Sequence, residues 1–310
     1  MQSKHDQGPE TTATPETVGF VGLGLMGHGM AKNLVDKGYP LHFYARSANA
    51  ASADLLQRGA QAAPTLAELA RRCSVVFLCV TGSPAVQAIV RGPTGLMAGL
   101  RAGSVVVDCS TSDPTVTRTL GEELAALDVA LVDAPLSRTP KEAWAGTLDT
   151  MVGARPETFA RVQPLLATFA ARIVHLGPPG TGHRMKLINN FLSLGYAALY
   201  AEALTLAQAV DISPAMFDAV IRNGRMDCLF YQTFMEYTLT GNREAHKFTL
   251  QNAAKDLRYL ESMADDAGLS NAMGNAVKNV FTLALQRAGD QAYVPMLVEN
   301  IAALNGVQLP

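Results

Sequence analysis

The 310-residue sequence predicts an α/β fold, in which a doubly wound parallel sheet is followed by an all-α domain that a long helix joins to it. Two observations support this prediction. Up to about residue 180, short and almost entirely apolar strand patterns alternate with helix patterns, as they do in parallel sheets covered on both faces. From Thr181 onward almost nothing resembles a strand, and helical patterns follow one another to the end of the chain.

The composition is that of a globular protein and argues against several classes of function. Hydrophobic residues make up 48% of the chain and charged residues 17%, and a net charge of −2 gives no electrostatic reason to expect nucleic acid or a membrane as partner. No run reaches the ~18 apolar residues of a membrane helix. The four cysteines lie far apart without a C-x-x-C pair. We therefore expect free, largely buried thiols and a cytoplasmic protein.

The first residues, 1–15, are polar and contain neither an apolar segment nor arginine. A secretory signal needs an apolar segment. We therefore expect a disordered tail ahead of the folded chain.

The first element is a short buried strand, 17–21, which leads directly into a glycine-rich segment and then a helix pattern closed by Gly38. The segment consists of Gly22, Leu23, Gly24, Leu25, Met26 and Gly27. In this context the first glycine permits a tight turn, the second lets a pyrophosphate approach the backbone, and the third packs helix on strand. The alternative is an ordinary glycine-rich turn. The context favours a Rossmann-like dinucleotide site lined by residues 22–27.

The second strand pattern, 41–45, ends at Arg46 and Ser47. Sites for NAD usually place an acidic residue here to bind the ribose 2′-hydroxyl. A guanidinium and a hydroxyl suit a 2′-phosphate instead. We therefore expect NADP as the preferred cofactor and NAD as the alternative; a solvated arginine at a strand end is the other explanation.

The remaining patterns of the first half continue the alternation. We expect helices over 50–58, 66–71, 84–90, 114–126 and 156–169, and strands over 75–79, 104–108, 129–133, 147–152 and 173–175. Ligands bind at the carboxyl ends of parallel strands. This rule places Thr81, Ser110, Thr111 and the loop 133–139 at the mouth of the sheet.

The second half begins with a helix that follows the Pro178-Pro179-Gly180 turn and continues through Ala207. Further helices are expected over 214–221, 228–239, 250–267, 272–288 and 295–304. The first helix carries Lys186 and Asn190, which are four residues apart and so lie on one face. A lysine and an amide on an otherwise apolar helix need water, a partner or a ligand. A snorkelling lysine is the alternative explanation.

The change from mixed α/β to all-α patterns marks a domain boundary. We divide the chain into the tail 1–15, a dinucleotide-binding domain 16–180, and an all-α substrate and oligomerisation domain 181–310. Lys186 lies at the junction, and clefts between domains are common sites for small molecules.

Five blocks give the chain a resemblance, over about residues 17–305, to the β-hydroxyacid dehydrogenase family, which includes 3-hydroxyisobutyrate dehydrogenase and tartronate semialdehyde reductase. The blocks are the glycine segment with 30–34, Asp108-Cys109-Ser110-Thr111 with Pro114, Asp133-Ala134-Pro135-Leu136-Ser137 with Gly146-Thr147-Leu148 and Met151-Val152-Gly153, Gly180-x-Gly182-x-x-x-Lys186-x-x-Asn189-Asn190, and Lys255-Asp256-Leu257. The resemblance implies an NAD(P)-dependent oxidoreductase that transfers a hydride between the nicotinamide and a small β-hydroxy acid or its semialdehyde.

The resemblance also implies roles for single residues. Lys186 would be the catalytic proton donor or acceptor, which suits an ammonium beside an oxygen that gains negative charge. Asn190 would hold the substrate, and Ser137 would bind its acid group. Contacts to the cofactor would come from Val80, Thr81, Thr111 and Lys255. No metal is expected, because the spacing of the histidines does not match that of metal ligands. We expect His183 and Arg184 to be solvated or near the cofactor, and we assign neither a role.

The substrate loop departs from the family pattern. Many members continue Asp-Ala-Pro-Val-Ser with two glycines, whereas this chain continues with Arg138 and Thr139. Arginine favours bidentate oxyanion partners, so we expect both residues to contact a small anionic substrate. This loop is most similar to the branch that includes sulfolactaldehyde reductase. A sulfonate analogue such as sulfolactaldehyde is therefore a candidate substrate beside the carboxylates.

Two other functions share this fold. Imine reductases usually lack a lysine at the position of Lys186, and non-catalytic cofactor-binding relatives have lost it, so its presence argues against both. The helical half has few charges and several apolar helices. We expect a homodimer or homotetramer for this reason.

Overall fold

The computed structural model describes residues 16–289 and 292–309, so the tail predicted for 1–15 lies outside the described residues. The strands are β1 (Val18–Val21), β2 (Leu41–Tyr44), β3 (Gln61–Ala62), β4 (Val75–Leu78), β5 (Val105–Asp108), β6 (Ala130–Asp133), β7 (Leu136–Ser137), β8 (Leu148–Gly153) and β9 (Ala170–Gly177). The helices are α1 (Gly27–Asp36), α2 (Ala50–Gln57), α3 (Leu66–Arg72), α4 (Ser83–Arg91), α5 (Pro114–Ala125), α6 (Pro140–Ala145), α7 (Pro156–Leu166), α8 (Thr181–Ala209), α9 (Pro214–Ile221), α10 (Leu229–Thr240), α11 (Leu250–Asp266), α12 (Ala272–Ala288) and α13 (Leu297–Leu304). Within the described residues, no helix is both long and apolar enough to cross a membrane.

The strands form one sheet in the order β3-β2-β1-β4-β5-β6-β8-β7, with β9 paired to β8. The strands from β3 to β6 are parallel, as predicted. The predicted doubly wound parallel sheet is thus confirmed, and at its far edge β8 runs antiparallel to β6 and β7. Residues 134–135 join β6 to β7, and the segment 138–147, which contains α6, joins β7 to β8.

Apolar side chains cover both faces of the sheet. On one face, Phe20, Phe43 and Phe77 belong to a core that includes residues of α1, α2 and α7. On the other, Val76 and Leu78 belong to a core with α3, α4 and α5. Burial on both faces explains why the strands read as continuous apolar runs. A third core, in the helical half, packs α10, α11 and α12 around α8.

The N-terminus of α8 is fixed to the sheet. Asp133, at the end of β6, accepts hydrogen bonds from the N–H groups of Gly180 at 2.6 Å and His183 at 2.7 Å, where the helix dipole favours a carboxylate. A Cβ on Gly182 would come within 2.5 Å of the Met151 carbonyl oxygen, so only glycine allows this approach. Lys186 follows one turn further along the same helix face.

Most predicted elements agree with the observed ones to within two or three residues. The predictions miss the short strand β3 at one edge of the sheet, and the other exceptions lie around the antiparallel edge. The helix expected over 156–169 ends at Leu166, and the strand expected over 173–175 extends over 170–177, because β9 pairs with β8 along its length. The loop 133–139 contains β7, and α6 is absent from the predictions. The domain boundary at 180/181 falls between β9 and α8 and stays a prediction.

Candidate active site

The glycine segment has the geometry that a dinucleotide requires. Gly22 has a φ of +102°, and a Cβ there would come within 2.2 Å of the Cys79 carbonyl oxygen. A Cβ on Gly27 would come within 1.9 Å of the Gly22 carbonyl oxygen, so this glycine lets α1 start against the loop. At Gly24, nothing lies within 4 Å of the added Cβ. The open space beside Gly24 and the uncapped N-terminus of α1 fit a pyrophosphate.

The end of β2 presents Arg46 and Ser47 to solvent, on the strand next to the glycine segment. No acidic residue occupies positions 45–49. This edge therefore offers a cation and a hydroxyl to the ribose that a dinucleotide would place there.

The ends of β4 and β5 meet a lysine from the helical half. Lys255 Nζ on α11 donates hydrogen bonds to the carbonyl oxygens of Thr81 at 2.7 Å and Thr111 at 3.1 Å. The N–H of Val80 donates to Ser110 Oγ at 3.0 Å. The four cofactor contacts implied by the family (Val80, Thr81, Thr111 and Lys255) are thus brought together across the two halves.

Tyr259, which the sequence predictions miss, supports this junction. Its hydroxyl accepts a hydrogen bond from the N–H of Ser83 at 3.3 Å, and its ring lies 5.4 Å from Lys255 Nζ. A cation over an aromatic ring is stabilised by the quadrupole of that ring. The spacing Lys255-x-x-x-Tyr259, one helical turn, is the signal that points to this contact.

Lys186 lies next to a buried carboxylate. Asn190, one turn further along α8, donates Nδ2–H to Asp256 Oδ2 at 2.7 Å, and Lys255 Nζ lies 3.0 Å from Asp256 Oδ1. Burial lowers the pKa of Lys186 to about 8; the charge of Asp256 opposes this shift and that of Lys255 adds to it. An ammonium with this pKa exchanges its proton near neutral pH. Asp256 lies within the Lys255-Asp256-Leu257 block, but the sequence alone assigns it no role.

The substrate loop places Ser137 and Arg138 beside an unpredicted acid. Ser137 pairs with Asp149 across β7 and β8, and its buried Oγ has no hydrogen-bond partner. Arg138 has a φ of +85°, and its Nε lies 3.1 Å from Asp149 Oδ2. Asp149 is a charged residue within a predicted strand, and that is the sequence signal that could have revealed it. The site thus combines a free hydroxyl with a guanidinium–carboxylate pair.

Thr139 has a structural contact in the same loop. Its hydroxyl accepts a hydrogen bond from the N–H of Lys141, and its own N–H donates to Glu142 Oε2 at 3.0 Å, which together form a capping box at the start of α6. The geometry therefore gives Thr139 a role in the helix cap, and its contact with substrate stays a prediction.

Of the two alternatives expected for His183, solvation is wrong, and a position near the cofactor stays a prediction. The side chain is fully buried, with Nδ1 2.7 Å from Thr117 Oγ1 and Nε2 3.1 Å from the Ser110 carbonyl oxygen. The imidazole thereby ties α8 to α5 and to the end of β5. The next residue, Arg184, is exposed and lines a groove of about 730 Å³ between α5 and α7, which contains none of the predicted site residues.

The thiols near the glycine segment are unsuited to nucleophilic chemistry. Burial raises the pKa of Cys79 to about 12 and raises that of Cys109 well above its usual range. All four cysteines are free. Among the described residues, no cluster of three or more His, Cys, Asp or Glu side chains is placed to hold a metal ion.

The chain matches known families over nearly its whole length. Residues 17–177 match the family described as the NAD binding domain of 6-phosphogluconate dehydrogenase. Residues 180–299 match the family described as the NAD-binding of NADP-dependent 3-hydroxyisobutyrate dehydrogenase.

Individual proteins resemble the chain over a similar extent. It is 32% identical to 2-(hydroxymethyl)glutarate dehydrogenase of Eubacterium barkeri, over 77% of this chain and 79% of that protein. It is 29% identical to 3-sulfolactaldehyde reductase of Escherichia coli (strain K12), over 86% of this chain and 89% of that protein. Among solved structures, Psf3 in complex with NADP+ and 2-OPP is similar, with 28% identity, a TM-score of 0.81, and coverage of 91% of this chain and 99% of that one.

Proposed function

The chain belongs to the β-hydroxyacid dehydrogenase family of NAD(P)-dependent oxidoreductases, and we propose that it transfers a hydride between the nicotinamide and a small β-hydroxy acid or its semialdehyde. The observation that carries the proposal is the position of Lys186 at the junction of the two halves. Its pKa of about 8 fits proton exchange, and Asn190 and Asp256 fix its surroundings. When bound, the nicotinamide supplies the hydride in reduction and accepts it in oxidation.

Lys186 is the proton donor or acceptor in this proposal. In reduction, negative charge develops on the substrate oxygen, and the ammonium stabilises that charge and gives up a proton. In oxidation, the neutral amine takes the proton from the substrate hydroxyl. Partial burial strengthens the interaction between the ammonium and the developing charge, because less water screens it.

Substrate binding is assigned to Asn190, Ser137 and Arg138. Asn190 donates one of its two Nδ2–H groups to Asp256, which leaves the other N–H to donate and Oδ1 to accept a hydrogen bond from the substrate hydroxyl. The unpartnered hydroxyl of Ser137 and the guanidinium of Arg138 suit an acid group. The substrate we propose is therefore a small anion, and a sulfonate such as sulfolactaldehyde is included because one relative is named a 3-sulfolactaldehyde reductase.

NADP is the cofactor that we propose as preferred. Gly22, Gly24 and Gly27 would hold the pyrophosphate, and Arg46 with Ser47 would meet the 2′-phosphate. One of the similar structures contains NADP+. Lys255 would contact the cofactor from the helical half, where its Nζ already reaches the ends of β4 and β5.

Self-association is proposed through one face of α8. Large apolar side chains recur there at helical spacing and are between 37% and 66% exposed. They are Met185, Ile188, Leu192, Tyr196, Leu199 and Leu206. A continuous exposed apolar stripe of this length is typical of an interface, and a homodimer or homotetramer would bury it. We also propose a cytoplasmic location, where the free thiols would stay reduced.

The experiment that tests the proposed function is NADPH and NADH oxidation against a panel of aldehydes. Sulfolactaldehyde, tartronate semialdehyde, methylmalonate semialdehyde and succinic semialdehyde form the panel. We expect turnover with at least one of them, and a loss of about 10²–10⁴ in kcat in Lys186→Ala with cofactor affinity retained. Lys37→Ala, which removes an exposed lysine at the end of α1, is the matched control. Full activity in Lys186→Ala would remove that lysine from the mechanism.

A further inference from the structure

The backbone of Arg138 has a left-handed conformation, which directs the side chain back toward the strand pair β7 and β8 that contains Ser137. Its φ of +85° is a conformation that residues with a Cβ rarely adopt. In a regular strand, residue 138 would face the opposite side from Ser137. Instead, its Nε lies 3.1 Å from Oδ2 of Asp149, the residue directly opposite Ser137. Strained backbone of this kind persists where surrounding contacts over-determine it, often at ligand sites.

Ser137 and Asp149 face the side of the sheet on which α8 lies. Leu148 and Val152 belong to the core under the other face, so Asp149 points toward the face that Gly182 of α8 approaches. Two polar atoms on these residues, Ser137 Oγ and Asp149 Oδ1, are buried without a hydrogen-bond partner. Buried polar atoms are nearly always paired. The unpartnered Ser137 hydroxyl is therefore a donor that an acid group can use, whereas Asp149 Oδ1, a carboxylate oxygen, can only accept.

The Arg138 guanidinium is paired with Asp149, and Glu142 is a second carboxylate within its electrostatic reach. Asp149 occupies the Nε edge of the Arg138 guanidinium and leaves the Nη1 and Nη2 groups as donors on a side chain that is 44% exposed. An acid group can bind end-on to those two nitrogens. Because Asp149 offsets the charge of the guanidinium, the hydrogen bonds from Arg138 must hold an acid group against the repulsion of Asp149, and that repulsion roughly doubles when the group carries a second negative charge.

We propose that Asp149 is a specificity-determining residue, which positions Arg138 for the acid group of the substrate and limits that group to a single negative charge. The proposal rests on the proposed function and deepens it by naming the substrate class. Carboxylates and sulfonates are accepted, whereas phosphonates, which carry close to two charges above neutral pH, are disfavoured.

The test compares two matched aldehydes, one ending in a sulfonate and one in a phosphonate, at pH 8 with NADPH. Asp149→Asn keeps a hydrogen-bond acceptor for Arg138 and removes the charge. The ratio of kcat/KM for phosphonate over sulfonate is expected to rise about tenfold, mainly through KM, with the KM for NADPH unchanged. Asp265→Asn, the same change at an exposed position of α11, is the control and leaves the ratio as it is.

Two further variants separate positioning from charge. Asp149→Ala removes the anchor and should raise the KM for the sulfonate about tenfold with little change in kcat. Arg138→Gly should raise the same KM, and the double variant should raise it no further. Arg138→Gly also relieves the left-handed strain, so it folds even if changes at position 149 impair folding.

The outcomes distinguish this inference from the proposed function. An unchanged phosphonate-to-sulfonate ratio in Asp149→Asn, or an unchanged KM in Arg138→Gly, overturns the inference while turnover by the wild type keeps the proposed function. If the wild type binds NADPH but reduces neither aldehyde nor any carboxylate semialdehyde, the proposed function fails and the inference fails with it.

Discussion

Asn190 of α8 donates its Nδ2–H to Asp256 of α11 at 2.7 Å, and this contact keeps a buried carboxylate beside Lys186. Three effects then act on one ammonium. Burial lowers its pKa most strongly, the negative charge of Asp256 raises it, and the positive charge of Lys255 lowers it. The balance, at about 8, lets the same group act as an acid in reduction and as a base in oxidation.

The first prediction concerns the pH dependence of the two reaction directions. Because the pKa of Lys186 is lowered to about 8, the ammonium predominates below pH 8 and the amine above it. The kcat/KM for aldehyde reduction should fall as pH rises through about 8, and that for alcohol oxidation should rise over the same interval. Initial rates from pH 6 to 10 check this. If both directions changed in the same sense, Lys186 would not be the exchanging group.

The second prediction separates the charge of Asp256 from its hydrogen bond. Asp256→Asn keeps an acceptor for Asn190 and removes the negative charge, which normally raises the pKa of Lys186. The inflection in the reduction profile should therefore move below pH 8. Asp256→Ala removes the hydrogen bond as well, so it should also raise the substrate KM by about tenfold. An inflection that stays at pH 8 in Asp256→Asn would show that Asp256 does not set this pKa.

Local sequence patterns are enough to predict the glycine segment and the helix that contains Lys186 and Asn190. Gly22 and Gly27 act through close contacts with a neighbouring strand and with their own loop, and Gly24 leaves open space beside that loop, so spacing in the sequence reveals all three. Likewise, Lys186 and Asn190 share a helix face whatever surrounds them. The bounds of α9 and α12 follow the sequence pattern to the residue, because prolines, polar caps and glycines mark their ends.

Long-range pairing accounts for what the sequence does not reveal. Asp256 meets Asn190 only because α11 packs on α8, and Asp149 meets Arg138 only because β8 turns antiparallel to β7. The burial of His183 depends in the same way on α5. None of these contacts leaves a periodic signal along the chain, since each partner is chosen by the packing of elements distant in sequence.

The third prediction concerns the cofactor. Arg46 and Ser47 are exposed at the end of β2, where many NAD sites carry an acid. Arg46→Asp should lower the ratio of kcat/KM for NADPH over NADH by at least about tenfold, equivalent to ~1.4 kcal/mol. Arg71→Asp, a change at an exposed arginine of α3, is the control. An unaltered ratio in Arg46→Asp would show that this guanidinium does not contact a 2′-phosphate.

The fourth prediction concerns association. Leu192 is 53% exposed in the middle of the apolar stripe on α8. Leu192→Glu would bury a charge in the proposed interface, so sedimentation velocity should show a shift toward the monomer at micromolar concentration. Leu56→Glu is a matched control, since Leu56 is 52% exposed on α2, away from the stripe. Equal sedimentation of Leu192→Glu and wild type would place the interface elsewhere.

The fifth prediction concerns the close contact that orients α8. In Gly182→Ala the new Cβ would lie 2.5 Å from the Met151 carbonyl oxygen and 2.7 Å from that of Asp133, which are backbone atoms that cannot turn away. We expect a loss of about 1–3 kcal/mol in the free energy of unfolding and a raised substrate KM, since Lys186 moves with the helix.

Gly121→Ala on α5 is the control. Its Cβ would meet Leu131 Cδ2 at an ordinary 3.6 Å, and the better helix propensity of alanine should leave stability equal or up to ~1 kcal/mol higher. Thermal unfolding that is identical in Gly182→Ala and Gly121→Ala would mean that α8 does not need this close approach to hold Lys186 at the end of the sheet.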